Sequence, residues 1–150
     1  MNDTPKVVIY TDGAEKKSKH KGGYAALLTH NGDWALVHGT ATDTTNNRME
    51  LQATIEALKL VEGADVTLVG DSKYVLDGIE RLPSWQQRNW TTVKGEPICN
   101  QDLWRELQTQ MKKQAMINTV WVKGHNDHPE NELVDYFARK NADTLKPSER

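Results

Sequence analysis

Thr44-Thr45-Asn46-Asn47-Arg48-Met49-Glu50-Leu51 is where a polar segment hands over to the longest apolar-periodic run of the chain. Ala53, Thr54, Ala57 and Val61 follow Glu50 on one helical face, which predicts a helix over about residues 47–61. The side chains on that face are small, so the helix can lie close against a sheet with Glu50, in its first turn, pointing inward. Asn47-x-x-Glu50 is equally a capping-box spacing, in which the carboxylate merely starts the helix. Whether Glu50 is a cap or a chemical group depends on the rest of the chain.

Working outward, residues 6–11 are rich in β-branched side chains and nearly continuous in apolar character, as in a strand buried on both faces. The strand ends at Asp12-Gly13, a turn pair that leaves Asp12 at its carboxyl end. Glu15 to Lys21 reads as a short basic loop, either solvated or touching phosphate. Gly22-Gly23 opens a strand over residues 24–29, Asn31-Gly32 signals a hairpin, and residues 34–42 return. Beyond the central helix, which stops at Glu62-Gly63, residues 66–70 form another buried strand ending at Asp71. Asp71 or Ser72 caps a helix that Pro83 ends, and residues 84–97 are irregular. A helix over 100–113, a strand over 118–122 and a polar loop over 123–128 precede a last helix from Pro129 to about Asp143. The order β-β-β-α-β-α-α-β-α implies an α/β fold: a five-stranded mixed sheet, an antiparallel meander of three strands extended by two parallel strands, with helices on both faces. Residues 1–145 are expected to be one domain, with 146–150 a frayed tail.

Composition sets the boundaries. The 150 residues suit one domain, and a formal net charge of −2 neither requires nor excludes a nucleic-acid partner. Cys99 stands alone, so a reducing compartment is favoured. No stretch resembles a signal peptide or approaches membrane-spanning length, and the expected setting is the cytoplasm.

Parallel neighbours carry their carboxyl ends on one sheet edge, where open α/β sheets place their sites. Asp12 and Asp71 emerge there side by side if their strands are adjacent. Glu50 lies in the first turn of the intervening helix, and Asp135 near the start of the last one. Like charges so close repel and raise one another's pKa unless cations compensate. Oxygen donors without a Cys or paired-His signature point to Mg²⁺ or Mn²⁺ rather than zinc. Two such ions about 4 Å apart would activate a water and stabilise the leaving oxygen of a phosphodiester. His125, on the loop before the last helix, is either merely exposed or moves a proton at the rim.

Tyr10-Thr11-Asp12-Gly13, Gly22-Gly23-Tyr24, the Thr44–Leu51 block, Asp71-Ser72-Lys73-Tyr74-Val75, Asn100-Gln101-Asp102-Leu103-Trp104, Trp121-Val122-Lys123-Gly124-His125 and His128-Pro129-Glu130-Asn131-Glu132 through Asp135 follow one pattern in order. The chain resembles bacterial-type ribonuclease H of the type 1 class over nearly its whole length. The resemblance implies an endonuclease that cuts the RNA strand of RNA–DNA hybrids, leaving a 5′-phosphate and a 3′-hydroxyl. It implies that Asp12, Glu50, Asp71 and Asp135 hold two Mg²⁺ (with Mn²⁺ as a substitute) and that His125 assists proton transfer or product release. It further implies that Gly13, Asn46 and Asn47 meet the hybrid, the two asparagines in its minor groove, and that Thr45 and Asn100 form a DNA-phosphate pocket. Recognition by shape and 2′-hydroxyl fits these residue types. A monomer is expected, with no membrane partner.

Three departures from the family pattern stand out. The loop after Asp12 usually carries an Asn-Pro-Gly-Pro-like turn, but here it is Ser18-Lys19-His20-Lys21. Asp43 occupies a position that is often Arg, and the protrusion from Trp85 to Trp90 has Gln86-Gln87-Arg88 in place of a lysine-dense handle. Binding charge is therefore expected to have moved to Lys16, Lys17, Lys19 and Lys21. Two other functions remain compatible with the residues. One is a DNA exonuclease, resolvase or integrase core on the same fold, which a panel of hybrid, duplex RNA and duplex DNA would separate. The other is a hybrid-binding module without activity, which the presence of all four acids argues against.

Overall fold

The computed structural model describes residues 4–124 and 128–143. In chain order the elements are β1 (Lys6–Lys16), β2 (Lys21–His30), β3 (Asp33–Thr42), α1 (Asn46–Leu58), β4 (Asp65–Gly70), α2 (Lys73–Gln87), α3 (Gln101–Met111), β5 (Met116–Trp121) and α4 (Pro129–Asp143), with a 3₁₀ turn at Lys17–Lys19. The five strands lie in the order β3-β2-β1-β4-β5. The β3-β2-β1 meander is antiparallel, and β4 and β5 join it in parallel, as the element order implies.

Side-chain alternation assigns the faces. Ile9, Ala26, Leu28, Val66 and Leu68 meet Leu51, Ile55 and Leu58 of α1, Val75 and Ile79 of α2, and Trp104 and Leu107 of α3 in the larger core. On the other face Ala25 and Leu27 pack against Val134, with Phe137 of α4 alongside. Each fully buried Leu or Ile stabilises the fold by about 1.5–3 kcal/mol relative to exposure. The small residues of α1 do let it lie close: Ala53 and Ala57 are fully buried. Gly23 serves the same end on the other face, because a Cβ there would run into the Ala138 carbonyl of α4.

Three local expectations change. Asp12-Gly13 is no turn; antiparallel pairing of β1 with β2 continues to Lys16↔Lys21, and the reversal falls at Lys17–Lys19 with His20 left-handed at φ 51°. Gly13 is needed for close approach, since a Cβ would lie 2.6 Å from the Glu50 backbone nitrogen. Pro83 does not end α2, which runs on to Gln87. Proline removes one helical hydrogen bond there. The following turn is held by Trp85, packed edge-on to Trp104 at 5.1 Å and against Trp90 at 6.5 Å. The remaining boundaries shift by a few residues: α1 ends at Leu58, not near Val61, and β5 begins at Met116 and ends at Trp121. Residues 146–150 and His125 lie outside the described residues.

Candidate active site

The parallel register of β1 with β4 ends at Tyr10↔Val69. Two residues further on each chain stand Asp12 and Asp71, so both carboxylates leave the sheet at one edge. Asp12 is buried within β1, opposite Ala25 of β2, rather than at a strand end. Gly13, next to it, admits the N-terminus of α1 and with it Glu50, which is 3 % exposed. The result is a trio: carboxylate oxygens of Asp12, Glu50 and Asp71 lie within 4.8 Å of one another. Asp135, from the second turn of α4, lines the same open cleft of about 500 Å³, together with Gly13, Glu15, Asn46, Ser72 and Arg139.

The start of α1 settles what Glu50 does locally. Thr45, not Asn47, is the cap: its hydroxyl accepts from the Arg48 backbone N–H at 3.2 Å. Glu15 Oε1 accepts from the Asn46 N–H at 3.1 Å, supplying a negative charge at the helix N-terminus. The capping-box reading of Asn47 and Glu50 is thereby corrected, and Glu50 is released from that duty. Its Oε2 is buried without a hydrogen-bond partner. Ser72 caps α2 through its hydroxyl, which accepts from the Val75 N–H at 3.3 Å, so the neighbouring Asp71 is not spent as a cap either.

The electrostatics follow from burial and crowding. Asp12 is pushed up to about 7, first by desolvation, then by the charge of Asp71, with Asp135 adding to it. Glu50 is raised well above the carboxylate range by burial first, then by Asp12. The interaction between the two side chains raises Glu50 further and offsets part of the rise of Asp12. A buried carboxyl oxygen with no partner costs free energy and is a signature of a site built for a ligand.

The expected hybrid-contacting residues fall beside this cleft. Thr45, Asn46 and Asn47 are exposed on the opening of α1. Asn100 caps α3 in a left-handed conformation at φ 59°. Its Oδ1 accepts from Arg48 Nη1 at 3.2 Å, and its Nδ2 donates to the Tyr74 hydroxyl at 2.9 Å. Arg48 also grips Asp102 with both ends of its guanidinium, at 3.0 and 2.7 Å. Arg48 therefore joins the Thr45 end of the expected phosphate pocket to Asn100.

Other contributors were not singled out from the sequence. Arg139 pairs with Asp135 at 2.7 Å, one helical turn on, a spacing that was readable in advance. Trp121 Nε1 donates to the Asp71 carbonyl at 3.1 Å, and Gly124 leaves room for Asp71, whose Oδ2 would lie 2.8 Å from a Cβ there. Glu15 left no such signal. The lysine-rich hairpin is less available than expected: Lys21 is 4 % exposed, and Lys16 and Lys19 pair with Asp143 at 3.1 and 3.6 Å.

Comparison with known proteins agrees with this geometry. The family model for RNase H matches residues 4–143. A ribonuclease H of Pseudomonas paraeruginosa is 44% identical over 142 residues, covering 93% of this chain and 95% of that protein. One from Novosphingobium aromaticivorans is 48% identical over 134 residues, covering 88% and 93% respectively. Among solved structures, a type 1 RNase H with the type 2 active-site motif superimposes with a TM-score of 0.80 at 30% identity, covering 95% of this chain and 74% of that one. A foamy viral protease-reverse transcriptase in complex with dsDNA shares the fold, at a TM-score of 0.76 and 19% identity.

Proposed function

Because the chain belongs to the ribonuclease H family, in its bacterial type 1 class, we propose that the acid-lined cleft hydrolyses the RNA strand of an RNA–DNA hybrid with divalent metal, leaving a 5′-phosphate and a 3′-hydroxyl. The observation that carries this reading is the trio of Asp12, Glu50 and Asp71 within 4.8 Å, with Glu50 Oε2 buried and unpartnered. The donor set is oxygen only, which suits Mg²⁺, with Mn²⁺ as a substitute.

Asp12, Glu50, Asp71 and Asp135 would hold two ions, which when bound supply an activated water and charge stabilisation of the leaving oxygen. Asp12 and Glu50, both raised, would have to be ionised to hold an ion. Trp121 and Ser72 hold the segment around Asp71 in place through the hydrogen bonds described above. Thr45, Asn46 and Asn47 face the hybrid from the first turn of α1, with Gly13 beneath them. Asn100, steadied by Arg48, completes a phosphate pocket with Thr45. His125 serves proton transfer or product release. Hydroxyl and amide groups of this kind read backbone shape and 2′-hydroxyls and carry no base code.

We place residues 1–145 in one catalytic domain acting as a cytoplasmic monomer. The lone Cys99 is exposed, which supports a reducing compartment. Among the described residues no helix is long and apolar enough to cross a membrane.

The test is cleavage of an end-labelled hybrid with Mg²⁺ and with chelator, beside duplex RNA and duplex DNA of the same sequence. Cleavage confined to the RNA strand of the hybrid and to Mg²⁺ is expected. Cleavage in chelator, or of duplex DNA, would overturn the proposal.

A further inference from the structure

Asp135 differs from the other acids in its surroundings. Among the described residues the compact group of potential ligands contains Asp12, Glu50 and Asp71, whereas Asp135 interacts with Asp12 from the edge of that group and is also paired with Arg139 at 2.7 Å. The Arg139 side chain is 67% exposed and that of Asp135 15%. The guanidinium therefore stands at the solvent mouth and the carboxylate inside, so the pair can part without unpacking anything. Arg139 is also the one cation among the described residues lining the two hollows around the acids. Its single charge is placed on Asp135.

Resting on the metal-dependent reading above, we propose that Arg139 is a placeholder counter-ion, whose guanidinium has to leave Asp135 before that carboxylate can take up a divalent ion. A guanidinium and a divalent cation compete for the same carboxylate lone pairs, and they repel each other across a few ångströms. The two cannot both hold Asp135 at full strength. Arg139 thus biases the order of loading: the Asp12, Glu50 and Asp71 group takes up an ion once its carboxyls are ionised, and Asp135 only after release of its arginine. Arg139 is a positioning residue in this scheme, acting through Asp135. An ion pair this exposed biases an equilibrium by only about fivefold or less. That is enough to space two binding events without blocking the second.

The experiment is Mn²⁺ titration of the full chain without nucleic acid, following free Mn²⁺ by electron paramagnetic resonance, with circular dichroism to verify folding. In Arg139→Gln the weaker binding phase is expected to tighten about two- to fivefold. Arg139→Lys, which keeps the charge, should remain near wild type. In an Asp135→Asn background the Arg139→Gln substitution should change nothing, because the competition is gone. Equal affinities in wild type and Arg139→Gln would overturn the proposal. So would equal tightening in the Asp135→Asn background, which would mark a general charge effect. Wild-type protein that binds no Mn²⁺ would remove the metal reading together with this one, whereas intact wild-type binding with an indifferent Arg139→Gln would remove only the role of Arg139.

Discussion

Two charged residues at the start of α1, Arg48 and Glu50, are two positions apart and treated oppositely by the fold. Arg48 is partly exposed, and its guanidinium donates to both oxygens of Asp102 and to Asn100. Glu50 is buried among like charges with one carboxyl oxygen unpartnered. The Arg48 network is organised as a structural element is, with opposite charges and filled hydrogen bonds. The Glu50 cluster crowds buried like charges, a cost that a bound cation would offset. The contrast separates the part of this surface that shapes the binding face from the part that does chemistry.

The largest break in the comparison should come from Asp12→Asn. Mg²⁺-dependent cleavage is expected to fall about a hundredfold or more, since the charge stabilisation supplied by bound ions is worth several kcal/mol. The fold should survive, and the metal-free variant should melt higher than wild type at pH 8, because one of the crowded charges is gone. Wild-type activity in that variant would take Asp12 out of the metal site, and a lower melting temperature would contradict the electrostatic account.

The same strain has a pH signature. Asp12 is raised from its ordinary 3.8 to about 7. The folded protein therefore holds a proton that the unfolded chain releases at lower pH, and stability falls as pH rises through the window from about 4 to 7. The contribution of Asp12 is fully present below its unfolded value and lost above about 7, on the order of 4 kcal/mol across the window, of which about 3 kcal/mol falls between pH 5 and pH 8. Urea unfolding in chelator at pH 5 and pH 8 measures it. Saturating Mg²⁺ should recover the loss at pH 8, with a gain of roughly 2.7 kcal/mol at a hundred times the dissociation constant. A metal-free protein more stable at pH 8 than at pH 5, with the Asp12→Asn variant showing the same slope, would contradict this.

On the other side of the comparison, Arg48→Ala should cost little stability, about 1 kcal/mol or less, because the pair with Asp102 is exposed. Its effect belongs to binding. KM for the hybrid is expected to rise several-fold with kcat nearly unchanged, since Asn100 loses its tether beside the expected phosphate pocket. Asp12→Asn should show the reverse split. A kcat loss in Arg48→Ala as large as that of Asp12→Asn would erase the distinction.

Much of this arrangement was legible in the chain, and what was missed has definite causes. The meander extended by two parallel strands followed from element order, and the meeting of Asp12, Glu50 and Asp71 followed once β1 and β4 are neighbours. Asp12-Gly13 misled because a turn-forming pair was used for close packing, which only the position of α1 reveals. Pro83 misled because Trp85 and Trp104, 19 positions apart in the sequence, hold a turn that local propensity would end. The cap is Thr45 rather than Asn47, and Glu15 of β1 meets the Asn46 N–H beside it. In each case a contact distant in sequence overruled a local preference.

The smallest effect concerns the β1–β2 hairpin, and it sharpens what the lysines do. Their sequence suggested a phosphate-touching loop replacing the weakened handle. In the structure Asp143, at the end of α4, holds Lys16 and Lys19, and Lys19 Nζ also donates to the Asp143 carbonyl at 3.1 Å. Lys21 is buried, so neutralising it tests packing before it tests binding. Asp143→Asn is the cleaner probe, because it removes the carboxylate that pairs with Lys16 and Lys19, leaves Lys19 only its bond to the backbone carbonyl, and leaves every lysine in place. If the hairpin touches the hybrid, that variant should bind more tightly at low salt and show a steeper dependence on salt, by up to about one unit of slope for each further phosphate that a lysine neutralises. An unchanged slope, measured by filter binding between about 50 and 200 mM salt, would assign Lys16 and Lys19 to clasping α4 against the hairpin and leave recognition to the residues at the opening of α1.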